Sequence, residues 1–475
     1  MADAATSRAV GPLPFVTPQT EFFWTAGEAG ELRFQRCTGC GAVRHPPGPI
    51  CADCRSRDVE AATASGLGTV VGVSVNHFSE HGFVPSAAAA LGDFGADVIK
   101  IERLAGDAMR RIIASGMVAT KDGYDFQFEL FNRNKRGIVL DVEQPAGREI
   151  FAKLVRWAEV YITNQLPRVR RKLRTEPADI FALNPSIVYA RGHGQGQRGP
   201  DAEAGGFDGV SYWARGGVAH VLTDADATCP TRQRPALGDG PSGMFLAGGI
   251  CAGLVHVGRT GKGIVVDTSL LGSAAWTLGP DLAYTTLTGE QMPMAADEQV
   301  SPLVRQYRTV DGRWVSLMMI DEGRYWEQAC RALGLDDLIA RFPDPASRRA
   351  GWPVIHERIN AVVTTLDHTE LDAKLRAQGC IFSFFATPTE VVADPAVVEN
   401  GYLMRHPEHP DVRLAAASVQ FDDELPSARR PGPALGQHSR EVLTELGYGE
   451  AEILRLLDDQ VIAESSSDTQ PRRSA

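Results

Sequence analysis

Two Cys-x-x-Cys pairs, Cys37-Thr38-Gly39-Cys40 and Cys51-Ala52-Asp53-Cys54, limit what this chain can fold into more sharply than any other feature. Each pair places two thiolates on one side of a tight turn. Two such turns facing each other supply four sulfurs at tetrahedral geometry, which suits Zn2+. Four sulfur ligands leave no open position, so the expected metal is structural rather than catalytic, held by Cys37, Cys40, Cys51 and Cys54. The competing reading is a set of redox or unligated thiols. The other four cysteines, Cys229, Cys251, Cys330 and Cys380, are scattered. No basic-then-apolar signal pattern occurs over Met1–Thr17, so a reducing cytoplasm is the expected compartment. A strand-like alternating run, from Gly30 to Arg36, leads into the first pair.

From about residue 69 the pattern changes. Thr69–Val75, Ala96–Glu102, Ile138–Asp141, Val160–Thr163 and Ile187–Ala190 read as strands, and helical patterns lie between them. One such helix is Glu143–Glu159, with Ile150, Phe151, Leu154 and Val155 on one face. Strands alternating with helices predict a parallel, doubly wound sheet. No Gly-x-Gly-x-x-Gly follows the first strand, so a dinucleotide site is not supported. Ligands of such sheets bind beyond the carboxyl ends of the strands, which singles out Arg103, Asn164 and the Gly192–Gly199 loop. A chain of 475 residues is expected to form two or three domains. Its net charge of −11 argues against a general nucleic-acid binder. No run of ~18 apolar residues is free of charges and breakers, so no membrane span is expected, and Phe245–Val257 reads as a buried helix.

The stretch Pro235-Ala236-Leu237-Gly238-Asp239-Gly240-Pro241-Ser242 precedes that apolar run. Pro241 suits the first turn of a helix, which puts Asp239 at or near its N-terminus. Asp239 is then either a capping aspartate or a carboxylate nucleophile with room beside it from Gly238 and Gly240.

Two resemblances extend these readings. The cysteine segment resembles the rubredoxin-like ribbon of acyl-CoA-associated zinc-ribbon/OB-fold proteins. The likeness rests on Phe22-Phe23-Trp24, the Gly30-x-Leu32 approach to Cys37, Pro46-Pro47-Gly48-Pro49 and the Gly66–Val71 run. The ribbon is followed here by one strand where those proteins have a barrel. The likeness implies docking to an acyl-CoA enzyme, a thiolase-like or dehydratase partner.

Residues from about 88 to 462 resemble the class III CoA-transferases (family III, CaiB/BaiF type). Runs in family order include Leu91–Glu102, Asn132–Arg136, Leu183-Asn184-Pro185, Gly194–Pro200, Gly206-Phe207-Asp208, Leu237-Gly238-Asp239, Arg259–Gly263, Asp267–Leu270, Asp394-Pro395 and Leu435–His438. The resemblance implies an acyl-CoA:carboxylate CoA-transferase with coenzyme A as a substrate. Asp239 is its nucleophile, flanked by Gly238, Gly240, Phe207 and Asp208, and works through an aspartyl mixed anhydride and an aspartyl-CoA thioester. CoA contacts fall on Arg103, Lys172 and Leu173, with Asn132, Lys135 and Arg136 as further phosphate contacts. For Asn132–Arg136 the open alternative is a turn before a strand. For the Arg168–Arg174 cluster it is a solvated basic helix face.

The implied fold is α/β: a doubly wound Rossmann-like large domain with a smaller α+β domain, preceded by a small zinc ribbon. Its expected bounds are a disordered leader 1–18, ribbon 19–68, large domain 69–290 and 391–462, small domain 291–390 and disordered tail 463–475. The hairpin around Asp311-Gly312 and helices at Tyr325–Leu333 and Val354–Leu366 belong to the small domain. The family also implies an interlocked homodimer. Two departures stand out. Ser79–Pro85 replaces the family's Ala-Gly-Pro turn. Phe207 stands where the related 2-methylacyl-CoA racemases carry a proton-transferring histidine. The alternatives are a racemase-like enzyme, or a non-catalytic acyl-CoA-binding scaffold for a thiolase-like partner.

Overall fold

The computed structural model describes residues 21, 33–44, 51, 54–63, 71–75, 83–111, 120, 124–293 and 299–465. The expected leader 1–18, the Phe22–Trp24 lead and the Ser79–Gly82 turn lie outside them. The chain divides into two units, one ending at Val70 and the other beginning at Val71.

In the first unit, β1 (Arg33–Cys37) pairs antiparallel with β2 (Val43–Arg44) on one side and β3 (Val59–Thr63) on the other. Two matched turns hang on this sheet. The Gly41 amide donates to the Cys37 carbonyl, and the Arg55 amide donates to the Cys51 carbonyl. Gly41 and Arg55, each following the second cysteine of its pair, both have left-handed backbone, at φ 76° and 61°.

The second unit is built on a sheet of order β15-β6-β5-β4-β7-β8-β9. Its strands are β4 (Val71–Val75), β5 (Asp97–Glu102), β6 (Lys135–Leu140), β7 (Val160–Thr163), β8 (Val188–His193), β9 (Ile264–Ser269) and β15 (Ile462–Ala463). All pairs are parallel except β15 with β6. Strand order reverses at β4, the doubly wound arrangement. Helices α1 (Phe83–Asp93), α2 (Phe126–Asn132), α3 (Pro145–Trp157), α4 (Pro167–Leu173), α5 (Pro177–Leu183) and α6 (Asp239–Thr260) provide the connections.

Both faces of the sheet are covered, which is why every residue of β6 and β7 is buried. One core joins Ile99, Ile101, Ile150, Phe151, Leu154 and Ile180. The other joins Ala87, Ala88, Val98, Ile162, Leu246 and Ile250. Glycines let α6 lie close on the sheet: a Cβ at Gly249 would stand 2.8 Å from Val266 Cγ1, and one at Gly253 2.9 Å from Val188 Cγ1. By length and composition α6 could cross a membrane, yet its glycine face is packed on β8 and β9. Phe245 and Val255 on the same helix are exposed, unlike the buried helix expected from the sequence.

A separate core joins Leu303, Trp326, Leu338 and Ile359, and against it lies the expected hairpin, β10 (Gln306–Arg308) with β11 (Trp314–Leu317), turned at Asp311-Gly312, where Gly312 has φ 84°. β12 (Phe382–Phe384) completes its sheet. The helix expected at Val354–Leu366 instead spans Pro345–Val363, because Asp344 accepts from the amides of Ala346 and Ser347 and starts it earlier. The following chain, with the antiparallel pair β13 (Leu403–Arg405) and β14 (Arg413–Ala415), is fixed to residues 93–134 by backbone donors. The Ala417 amide bonds Asp93 Oδ2 at 3.1 Å, Gly432 bonds Glu129 Oε2 at 2.7 Å and Arg429 bonds Asn134 Oδ1 at 2.7 Å. Ala463, assigned from composition to a disordered tail, instead ends β15 opposite Val139.

Candidate active site and metal centre

The four cysteine sulfurs lie within 4.8 Å of one another, a spacing that a single tetrahedral ion bridges. Cys37 and Cys51 are buried, and Cys40 and Cys54 are exposed. The donor set is all sulfur, so the residues fit a structural zinc and leave no position for a substrate. Cys51→Ser is expected to lose bound zinc and to disorder the ribbon. Elemental analysis together with protease sensitivity of residues 24–60 would check this, and one zinc per chain retained in the variant would mean a different ligand set.

The second site forms where the segment after β8 doubles back. A Cβ at Gly194 would stand 2.4 Å from Gly206 Cα, so the two strands of this loop touch backbone to backbone. Gln195 Nε2 donates to Ser211 Oγ at 3.0 Å and ties the loop to a π-helical turn, Asp208–Ala214. That turn presents Asp208 to the start of α6. Asp208 Oδ2 accepts from the amides of Gly238 (2.9 Å) and Asp239 (3.2 Å), while Oδ1 accepts from Gln233 Nε2 (2.6 Å).

Asp239 is the first residue of α6 but does not cap it. Of the two roles left open for it, the local one is removed: Asp208 does the capping. The Asp239 side chain is only 7% exposed, and its Oδ1 has no hydrogen-bond partner among the described residues. Ser242, one turn further on the same helix, is fully buried with its hydroxyl also unpartnered among them. Burial, and then the charge of Asp208, push the Asp239 carboxyl up from 3.8 to about 7. The flanking glycines differ. A Cβ at Gly238 would collide with Tyr212 Cγ at 2.3 Å, whereas one at Gly240 would meet nothing within 4 Å. The space beside Gly240 is therefore open where that beside Gly238 is filled. Phe207 precedes Asp208 and is exposed.

Beyond the carboxyl ends of β5 and β6 lies a cavity of about 250 Å³, bounded by Arg103, Leu104, Asp141, Val142, Glu143 and Leu173 among others. Lys172 Nζ is paired with Glu143 Oε1 at 2.7 Å. Of the expected contacts, Arg103 and Leu173 thus line one depression, and Lys172 stands at its rim through Glu143. Asn132, Lys135 and Arg136, expected at phosphates, are instead committed inside the fold. Asn132 Nδ2 donates to the Phe128 carbonyl at 3.1 Å. Lys135 Nζ donates to the carbonyls of Phe131 and Pro85 and to Asn132 Oδ1, and burial drives its pKa well below the ordinary value. Arg136 holds Asp97, Glu441 and Glu445. The reason is their place in or beside β6, a strand covered on both faces.

The Gly192–Gly199 loop singled out from the sequence lies at the ends of β8 and β9. There His193 and Gln197 border, with Asp267 and Ser269, a cavity of about 280 Å³. Burial depresses the His193 pKa, and although burial opposes it, His193 and Arg191 hold the Asp267 carboxyl well below its usual range. The strand register, which sets Arg191 beside Asp267, builds this pair, and it is not visible before the strands are aligned.

Residues 70–439 match the family model "CoA-transferase family III", and residues 24–60 match "ChsH2, rubredoxin-like zinc ribbon domain". The chain is 28% identical over 404 residues to (R)-2-hydroxy-4-methylpentanoate CoA-transferase of Clostridioides difficile, covering 82% of this chain and 98% of that one. It is 30% identical over 395 residues to succinyl-CoA:glutarate CoA-transferase of Mus musculus, covering 80% and 86%. Among solved structures, a CAIB/BAIF family protein from Brucella suis superposes with a TM-score of 0.66 at 24% identity, covering 80% of this chain and all of that one, a likeness of fold.

Proposed function

The chain belongs to CoA-transferase family III, and on that premise we propose that Asp239 is the nucleophile through which it passes CoA from an acyl-CoA to a carboxylic acid. A carboxylate oxygen of Asp239 attacks the thioester carbon, the C–S bond breaks, and CoA thiolate leaves an aspartyl mixed anhydride. The thiolate then attacks the aspartyl carbonyl and expels the donor as a free carboxylate, giving an aspartyl-CoA thioester. An acceptor carboxylate retraces the two steps, leaves as its CoA thioester and restores Asp239. No proton is consumed, and a difficult exchange is divided into easier ones. The cavity at Arg103 and Leu173 is assigned to the nucleotide end of CoA, with Lys172 at its rim available to a phosphate when Glu143 releases it.

The observation that carries this reading is the Asp239 carboxyl itself: nearly buried, excused from capping, and open on the Gly240 side. Mass spectrometry of the chain with acetyl-, succinyl- and cinnamoyl-CoA tests it. The peptide containing Asp239 is expected to gain CoA and to yield a hydroxamate with hydroxylamine. No label from any of the three donors overturns the reading and leaves an acyl-CoA-binding scaffold. The racemase alternative is disfavoured by Phe207, which has no proton to exchange, and deuterium entering the α-carbon without CoA exchange would restore it.

A second copy of the chain completes the fold on this reading. Trp276 on α7 (Leu270–Thr277) is 77% exposed, Leu287 on α8 (Gly279–Thr288) is 85% exposed, and α8 has no buried residue. Phe245 on α6 meets the Trp276 ring edge-on, 6.5 Å between centroids, and exposed apolar side chains of this kind are what a partner covers. Sedimentation equilibrium is expected to give a dimer, reduced to a monomer by Trp276→Lys with Leu287→Lys. A native monomer would refute it. The ribbon's likeness to the ChsH2 domain supports a docking role toward an acyl-CoA enzyme.

A further inference from the structure

We propose that Asp208 is a positioning residue: it caps α6 in place of Asp239, so that the Asp239 carboxylate stays uncommitted and faces substrate. The inference rests on the reading of Asp239 as nucleophile and adds a second carboxylate with a different task.

The first amides of α6 all find acceptors other than the Asp239 side chain. Helix N-termini expose donors that must find acceptors, and an aspartate there ordinarily turns its own oxygen onto them. Here the amides of Gly238 and Asp239 go to Asp208. The Gly240 amide goes to the Ala236 carbonyl at 3.1 Å, assisted by the left-handed turn at Ala236, φ 59°. Pro241 has no N–H, and the Ser242 amide goes to the Gly238 carbonyl at 3.1 Å. No backbone donor in this first turn is left over for the Asp239 side chain.

The position of Asp208 is itself fixed. Gln233 holds its other oxygen, and the ring of Tyr212, four residues on, fills the space a Gly238 side chain would take. Tyr212 is anchored in turn by its hydroxyl, 3.1 Å from Thr277 Oγ1.

Asp208 acts on the chemistry through Asp239. Among the described residues it is the one charged group that acts on the Asp239 carboxyl; Gln233 and Tyr212, which pack against the pair, are uncharged at neutral pH. Its charge disfavours the free Asp239 carboxylate but not the uncharged aspartyl anhydride or thioester. Repulsion is therefore relieved as the covalent intermediate forms, an interaction that favours attack over the resting state.

Asp208→Asn and Asp208→Ala in the full-length, zinc-loaded chain test this. Asparagine keeps an oxygen for the two amides and removes the charge; alanine removes both. The Asp239 carboxyl is titrated by infrared difference spectroscopy and assigned by its loss in Asp239→Asn. Labelling of Asp239 by acetyl-, succinyl- and cinnamoyl-CoA is timed in parallel. In Asp208→Asn the Asp239 midpoint is expected to fall by about one pH unit. In Asp208→Ala the labelling rate is expected to fall roughly 100-fold, with the half-saturating donor concentration changed less than about 3-fold. An unmoved midpoint in Asp208→Asn, or native-rate labelling in Asp208→Ala, overturns the proposal. If the alanine variant does not fold, the asparagine titration decides alone. A native chain never labelled by the three donors removes the nucleophile while the titration still judges the coupling of Asp208 to Asp239, so the two failures are distinguishable.

Discussion

Asp239→Ala is expected to be inactive and more stable than the native chain. The carboxyl titrates near 7 in the fold against an ordinary 3.8, so between these values the folded state keeps a proton that the unfolded chain has released. Stability must then fall as pH rises from about 4 through about 7, the sign opposite to that of a salt-bridged aspartate. The alanine variant lacks this slope. At pH 8 it is expected to gain about 2–4 kcal/mol, reduced by whatever packing the carboxyl provides. The gain should shrink toward zero as pH falls below 3.8, where the carboxyl is protonated in both the folded and the unfolded chain. Denaturant titrations at pH 5 and 8 measure it. A variant less stable than native at pH 8, with no change in slope, would mean that the carboxyl is solvated or paired. CoA transfer should be undetectable at every pH. In the native chain kcat/KM should rise with pH through about 7 as the nucleophile ionises. Nucleophilicity and instability thus have one physical source, a carboxylate kept dry beside another carboxylate.

How much of this was legible beforehand depended on the range of the interaction. The zinc ligands could be named because the chemistry of each Cys-x-x-Cys turn lies within four residues, and the sulfurs converge as that spacing requires. The alternation of β5, α3, β7 and β8 was legible for the same local reason. Arg103 could be placed at a cavity because ligands gather beyond strand ends in doubly wound sheets, and Leu173 was added by the family resemblance. What the sequence concealed was burial and remote capping. Lys135 and Arg136 look like a phosphate patch until β6 is seen covered on both faces. Asp208 lies 31 residues before the amide it caps, so a capping pattern read over three or four residues assigned that task to Asp239. The strand at Ile462–Ala463 was hidden because it borrows its stability from β6 rather than from its own composition.

The two glycines beside Asp239 give the other large expected effect, because identical substitutions should part company there. Gly238→Ala would drive a methyl to 2.3 Å from Tyr212 Cγ and 2.4 Å from Asp208 Oδ1. Neither neighbour can yield cheaply. Tyr212 is 4% exposed and tied to Thr277, and Asp208 holds two amides and Gln233. The backbone at the start of α6 must move instead, at a cost of about 2–3 kcal/mol from overpacking. The shift would carry Asp239 with it, so labelling by an acyl-CoA should fall roughly 100-fold or more. At Gly240 a methyl meets nothing within 4 Å, and alanine in a helix gains about 0.5–1 kcal/mol over glycine. Gly240→Ala should therefore melt at or above the native temperature while obstructing the open approach to the carboxyl, lowering kcat/KM without unfolding. The pair separates structure from access. Gly238→Ala as stable as native would mean that Tyr212 does not close this side of the site. Gly240→Ala at native kcat/KM would mean that the substrate reaches Asp239 from another direction.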